Sequence, residues 1–184
     1  MKKMDLIRRL ADLDRRGIYV FTRNDMKKMF PGEAEKAMEK SLQRMVTDGL
    51  LQRAARGIYV NPAAASNKGY VIEEIARALR PGYFSYVSLE SILSEHGRIS
   101  QIPMRRITIM TTGTGGEYHT PYGTIEFTRT KRGRAALVAR TLYVTDRPLR
   151  IATEQAAIED LRRVGRNVNM LVMDDDHENS EDLR

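Results

Sequence analysis

The sequence contains no cysteine and only three histidines in 184 residues. The absence of cysteine excludes disulfide bonds and thiolate chemistry, and it leaves any zinc site to histidine and carboxylate ligands. No apolar run approaches the roughly 18 residues that a membrane-spanning helix requires. No charged-then-apolar leader marks a secretory signal at the N-terminus. We therefore expect a soluble, cytoplasmic protein without membrane contact.

The charge of the chain is unevenly distributed, although the overall net charge is only +7. Residues 174–184 hold six carboxylates against one arginine, so residues 1–173 carry a net charge of +12. We interpret residues 174–184 as an acidic disordered tail. The strongly positive remainder should attract polyanions, of which nucleic acid is the simplest.

Residues 22–60 show the pattern of a winged helix-turn-helix, preceded by an amphipathic helix over residues 3–15. Thr22 is a favourable N-cap for a short helix that runs to about Phe30, and Asp25 places a carboxylate in its first turn. Pro31 and Gly32 then break the chain. A second helix is predicted over residues 33–48, because four apolar residues follow the spacing of a buried stripe: Met38, Leu42, Met45 and Val46.

A strand, a tight basic turn and a second strand follow between residues 50 and 60, which is the pattern of a wing. Residues 16–20 repeat the sequence of residues 56–60, RGIYV, and we expect this first copy to pair with the wing. A helix with long donor side chains fits the DNA major groove, and a basic hairpin reaches the backbone or the minor groove. The predicted DNA-binding residues are Thr22, Arg23, Lys36, Lys40, Gln43, Arg44, Arg53 and Arg56.

The rest of the chain predicts a second domain of mixed α+β order. Residues 63–69 are small, polar and without periodicity, so we predict a linker between domains at 1–62 and 70–173. Helices are expected after residue 70, after Ser88 as N-cap, and from Thr153 to Gly165. Runs 106–112 and 124–130 are predicted to form a hairpin, and residues 142–144 and 149–152 to add edge strands. The fold class is therefore α+β, with an N-terminal winged helix-turn-helix.

No catalytic constellation, metal site or cofactor motif emerges from the residues, so we expect a non-enzymatic protein without cofactors. The one basic cluster of the second domain is either a second phosphate-contacting patch, a partner-facing surface or a solvated hairpin end. It comprises Arg129, Lys131, Arg132, Arg134 and Arg140. The alternative from another class is a nuclease targeted by the winged helix, with Glu117 and Glu126 as metal ligands.

Five segments form an ordered set of motifs: residues 56–62 (RGIYVNP), 86–97 (YVSLESILSEHG), 107–109 (ITI), 120–127 (TPYGTIEF) and 152–156 (ATEQA). Together they resemble the AbiEi family of antitoxins from type IV abortive-infection systems, over about residues 15–166. The resemblance implies a bacterial antitoxin that binds its own promoter through the N-terminal domain and represses a two-gene operon.

The resemblance also implies a nucleotidyltransferase-like toxin as a second partner, countered through the C-terminal domain without the need for a stable complex. Two copies are expected on the promoter DNA, because one winged helix covers too little sequence for a specific address. The oligomeric state of the free protein is left open. A stand-alone winged-helix transcription regulator is a further alternative, which the neighbouring gene would decide.

Overall fold

The computed structural model describes residues 1–99, 105–165 and 167–171. The N-terminal part is built from three helices and three short strands. In chain order these are α1 (Lys3–Asp14), β1 (Val20–Thr22), α2 (Arg23–Met29), α3 (Glu35–Thr47), β2 (Gln52–Ala55) and β3 (Ile58–Val60). The strands form an antiparallel sheet in the order β1-β3-β2. Strand β1 pairs with β3 of the wing as expected, but of the first pentapeptide copy only Val20 belongs to the pairing, opposite Val60.

The helices form where the sequence pattern places them. Thr22 closes a capping box with Asp25 at the start of α2, because each residue's side chain bonds the main-chain N–H of the other. Helix α3 begins at Glu35, two residues later than expected, after an extended Ala34. Side chains from the three helices, from β1 and from the residue before β2 enclose one hydrophobic cluster, which comprises Leu6, Leu10, Phe21, Met26, Met38, Leu42, Met45 and Leu51.

The C-terminal part contains a mixed sheet of six strands with helices packed against it. The order along the chain is α4 (Val71–Leu79), β4 (Ser85–Val87), α5 (Glu90–Glu95), β5 (Arg106–Thr111), β6 (Gly116–Thr120), β7 (Gly123–Arg129), α6 (Arg134–Ala139), β8 (Thr141–Leu142), β9 (Arg150–Ala152) and α7 (Glu154–Val164). A 3-10 turn, Val168–Met170, follows. The predicted α+β class is confirmed.

The predicted hairpin of residues 106–112 and 124–130 is wrong, because β5 and β7 pair in parallel. Strand β6 was not predicted, and it forms the antiparallel hairpin with β7 instead. Its turn lies at residues 121–122, and Gly123 follows in a left-handed conformation with φ of +131°. A Cβ atom at Gly123 would lie 2.4 Å from the carbonyl oxygen of Arg105, so this close approach requires glycine.

Two further predictions need correction. The sheet order is β6-β7-β5-β4-β9-β8, so β8 is an edge strand as expected whereas β9 lies inside the sheet. Ser88 does not cap α5, because Leu89 occupies the N-cap position and the Ser88 hydroxyl points into the core. Thr153 does cap α7, where its hydroxyl accepts a hydrogen bond from the N–H of Ala156, and Gly165 ends that helix.

A second and larger hydrophobic cluster joins the two sheets. Most of it comes from α4, α5, α7 and the six-stranded sheet, but Tyr19, Ala54, Ile58 and Val60 of the N-terminal part belong to it as well. The segment expected to be a linker is held in place, since Asp14 accepts hydrogen bonds from the main-chain N–H groups of residues 65 and 66. None of the helices in the described ranges is long and apolar enough to span a bilayer.

Candidate nucleic-acid interface

Helix α3 presents three different faces. Met38, Leu42 and Met45 are buried, and the 3.6-residue repeat then places Lys36, Lys40 and Gln43 on the opposite, exposed face. Arg44 lies on the flank nearest the N-terminus, where its Nη2 donates to the carbonyl oxygen of Met1 at 3.2 Å. Glu39 lies on the other flank, towards the β2–β3 hairpin. The predicted residues of α3 therefore share one outer surface, except that Arg44 turns aside.

A cleft of about 590 Å³ separates α3 from the β2–β3 hairpin. Four of the eight predicted DNA-binding residues line it: Arg23, Gln43, Arg53 and Arg56. They come from α2, α3 and the hairpin, so the fold gathers them from segments that are distant in sequence. Within the described part of the chain, Arg53 and Arg56 have no carboxylate within ion-pair distance, which leaves two guanidinium groups available to an anion.

The hairpin turn is fixed against the start of α2. Gly57 adopts a left-handed conformation with φ of +74°, which favours glycine, and Arg56 precedes it at the turn. The carbonyl oxygen of Gly57 accepts a hydrogen bond of 2.8 Å from the N–H of Arg23. Thr22 contributes by capping α2, and its hydroxyl is engaged by Asp25. The basic turn is therefore held at one side of the cleft by main-chain contacts.

Acidic residues of α3 offset part of this positive charge. Glu35 lies 3.1 Å from the Lys27 ammonium and 3.3 Å from the Arg23 guanidinium. The hydrogen bond from Lys27, followed by the charges of Lys27 and Arg23, lowers the pKa of Glu35. Glu39 is more loosely placed, 3.8 Å from Arg23. These exposed pairs add little to stability, but they set the charge that a ligand meets at the N-terminal end of α3.

The predicted second basic patch is divided by the structure. Arg129, Lys131 and Arg134 are exposed, whereas Arg132 and Arg140 turn towards the buried carboxylate of Asp160. Arg140 lies 3.1 Å from that carboxylate and also donates to the carbonyl oxygen of residue 156 at 2.7 Å. Three of the five predicted residues therefore remain on the outer surface, and two help to neutralise a core acid.

Asp160 is a buried acid with several polar partners. The Tyr86 hydroxyl donates to its Oδ2 at 2.8 Å, and the Ser88 hydroxyl donates to the same oxygen at 2.9 Å. Burial, followed by the neighbouring Asp160 charge, raises the pKa of Tyr86. Since Asp160 is fully buried, with Oδ2 bonded to both hydroxyls and Oδ1 beside Arg140, we interpret this group as a structural network that joins α7 to β4.

The carboxylates considered as nuclease ligands are both bonded to one arginine. Glu117 and Glu126 face each other across β6 and β7, and Arg106 Nη1 donates to them at 2.8 and 2.7 Å. Among residues 1–99, 105–165 and 167–171, no three His, Asp or Glu side chains group as metal ligands. His96 and His119 lie beside Glu154 and Glu117 respectively. The predicted acidic tail, residues 174–184, lies outside the described residues.

Sequence reasoning missed Glu39 and Gly57 as parts of the cleft. Glu39 precedes Gln43 by one helical turn, and this spacing was the available signal for a shared surface. The contact of Gly57 uses its main chain, which no side-chain pattern reports. No protein-family model matches the chain, and no curated protein aligns with it significantly.

Proposed function

We propose that the protein binds double-stranded DNA through a winged helix-turn-helix formed by residues 1–62. The observation that carries the proposal is the basic cleft between α3 and the β2–β3 hairpin, lined by Arg23, Gln43, Arg53 and Arg56. The order of three helices followed by a β-hairpin also fits this class of domain. No acidic partner holds the two hairpin arginines within the described residues, so phosphate groups can take that position.

In this arrangement α3 enters the major groove and the hairpin lies along the backbone. Lys36, Lys40 and Gln43 form the most outward strip of α3, so these side chains meet base edges first. Arg53 and Arg56 contact phosphates, which fix register and orientation but carry no sequence information. Sequence preference therefore comes from the helix, while the hairpin supplies affinity that depends on salt.

Binding titrations at several salt concentrations test this division. The two DNAs compared are the region upstream of the protein's own gene and a random sequence. Arg53→Ala and Arg56→Ala should weaken binding to both alike. Each should reduce the slope of log affinity against log salt concentration by about 0.9, the value for one lost phosphate contact. Lys40→Ala and Gln43→Ala should cost about 1 to 3 kcal/mol on upstream DNA and much less on random DNA. Arg15→Ala is the matched control, because this exposed arginine follows α1 and does not line the cleft; it should change neither the affinity for the two DNAs nor the salt slope.

Equal losses on both DNAs for every α3 variant would refute the assignment of α3 as the reading helix. A wild-type protein that binds neither DNA would refute the proposed function itself.

We further propose that the DNA is the protein's own promoter, and that the protein acts as a type IV antitoxin and autorepressor. The motif resemblance to AbiEi antitoxins supports this step, and a nucleotidyltransferase-like toxin would be the second partner. The test is to express the adjacent gene with and without the full chain and to measure cell growth. The adjacent gene alone should arrest growth, and the full chain should restore it. If the adjacent gene encodes no such protein, the remaining proposal is a stand-alone transcription regulator that represses from this DNA site.

A further inference from the structure

Glu39 is the acidic side chain that lines the DNA-facing cleft. Its side chain is 70% exposed, and its ion-pair contact with Arg23 is a loose 3.8 Å. Gln43 lies one helical turn further along α3 and lines the same cleft. Glu35, one turn earlier, does not line the cleft and is held more closely by Lys27. The cleft therefore contains one acceptor-only group among three guanidinium groups.

A carboxylate in a purely phosphate-binding cleft opposes binding, because it repels the anion that the arginines attract. It contributes favourably only where the DNA presents a hydrogen-bond donor. The major-groove edges of guanine and thymine offer acceptors, and adenine places the N7 acceptor beside its N6 donor. Cytosine offers the N4 amino group, which an ionised carboxylate can accept without facing a neighbouring acceptor on the same base.

We propose that Glu39 reads a cytosine through its N4 amino group, and that Gln43 reads an adenine nearby. This inference rests on the proposed function and names the base preference of the same site. One helical turn advances about 5.4 Å, and one base pair about 3.4 Å. The two contacts therefore fall one or two base pairs apart. The DNA segment that one copy of the protein binds then contains a cytosine and an adenine at that spacing.

Glu39 is not needed to position Arg23. The main-chain N–H of Arg23 is held by the carbonyl oxygen of Gly57 at 2.8 Å, and its guanidinium lies closer to Glu35 than to Glu39. Removal of the Glu39 carboxylate leaves both anchors in place. A change in base preference at one position, without a general loss of selectivity, is therefore the expected consequence.

The experiment is selection of bound sequences from a randomised duplex DNA library by the full chain, followed by competition binding. Wild type should enrich a cytosine whose replacement weakens binding about 5- to 150-fold, the range of a good base contact. Glu39→Ala should abolish the cytosine preference and keep the preferences at the other positions of the site. It should also bind random DNA more tightly, because a carboxylate that repels phosphate is gone. Glu39→Gln should shift the preference towards adenine, since a carboxamide pairs with N6 and N7.

Glu35→Ala is the matched control, because it removes the same charge from the same helix at a position that does not line the cleft, together with the closer ion pair of Arg23. It should keep the cytosine preference. Retention of that preference by Glu39→Ala would overturn the inference, and so would a loss of selectivity at every position, which would indicate a positioning role. If wild type enriches no sequence at all, the proposed function fails, and that result is distinct from both.

Discussion

Removal of everything after residue 62 tests how far the N-terminal part is an independent unit. Ile58 and Val60 belong to the larger hydrophobic cluster, where they are 5% and 1% exposed, and Tyr19 and Ala54 join them. A fragment of residues 1–62 would expose these side chains to water. Re-exposure of one fully buried valine or isoleucine costs about 1.5 to 3 kcal/mol. Ile58 and Val60 alone thus place up to roughly 3 to 6 kcal/mol at risk.

That loss is comparable with the whole stability of a small domain, about 5 to 15 kcal/mol. We therefore expect residues 1–62 to lack a cooperative unfolding transition at 25 °C. A fragment of residues 1–80 retains α4, which supplies Ile75 and Ala76 to the same cluster, and should recover part of the stability. Circular dichroism during urea titration measures both fragments against the full chain.

The repeated pentapeptide provides a matched control in the full chain. Ile58 is buried whereas Ile18, in the same local sequence, is 37% exposed. Ile58→Ala should cost about 2 to 5 kcal/mol, and Ile18→Ala much less. A fragment of residues 1–62 that unfolds cooperatively with a midpoint close to that of the full chain would refute the reasoning, and so would equal costs for the two isoleucine variants.

Two further predictions concern the C-terminal part. Gly123→Ala should abolish cooperative folding or lower the free energy of unfolding by several kcal/mol, because its Cβ would lie 2.4 Å from the Arg105 carbonyl oxygen. A change of 1 kcal/mol shifts the thermal midpoint of a protein of this size by about 2 to 4 °C. A midpoint within about 2 °C of wild type would therefore contradict the prediction. Arg147 donates from Nε to the buried Glu73 at 2.7 Å, and burial raises the pKa of Glu73 despite that partner. The stability that Glu73 contributes is therefore fully present below its unfolded pKa and is lost as pH rises through its folded pKa. Arg147→Met removes the counter-charge, so it should raise the folded pKa of Glu73 further and increase the loss of stability at high pH. Urea titration should show a larger loss for Arg147→Met at pH 8 than at pH 5, partly reversed by adding Glu73→Gln; equal losses at both pH values would count against it.

Elements with strong local signals were predicted correctly from the sequence. Helix α7 combines a capping threonine, an apolar stripe and a terminal glycine, and the structure has it from Glu154 to Val164. Helix α2 shows the same strength, with its capping box at Thr22. Both depend on interactions within a few residues, which a linear pattern reports directly.

Errors arose where distant segments decide the outcome. Ser88 is of a residue type that often caps helices. Its hydroxyl instead donates a hydrogen bond to the buried Asp160, which lies 72 residues away in sequence. Arg132 and Arg140 belong to a basic sequence cluster of the kind usually found on the surface. Both instead face the carboxylate of Asp160. For the candidate site, the pattern identified the helix and the basic turn. The one-turn spacing of Glu39 and Gln43 indicates a shared helix surface, but the cleft itself depends on how α3 packs against the hairpin.

The parallel pairing of β5 with β7 also has a consequence for the order of assembly. The β6–β7 hairpin closes through a turn of two residues, so its loop-closure entropy is small and it can form early. Strand β5 then has to join residues well separated in sequence, Arg106 with Thr124. The pairing of Tyr86 with Arg150 spans still more chain. Because non-local pairings are slow to form, we expect the hairpin to act as the template onto which β5, and then the β4–β9 pair, assemble.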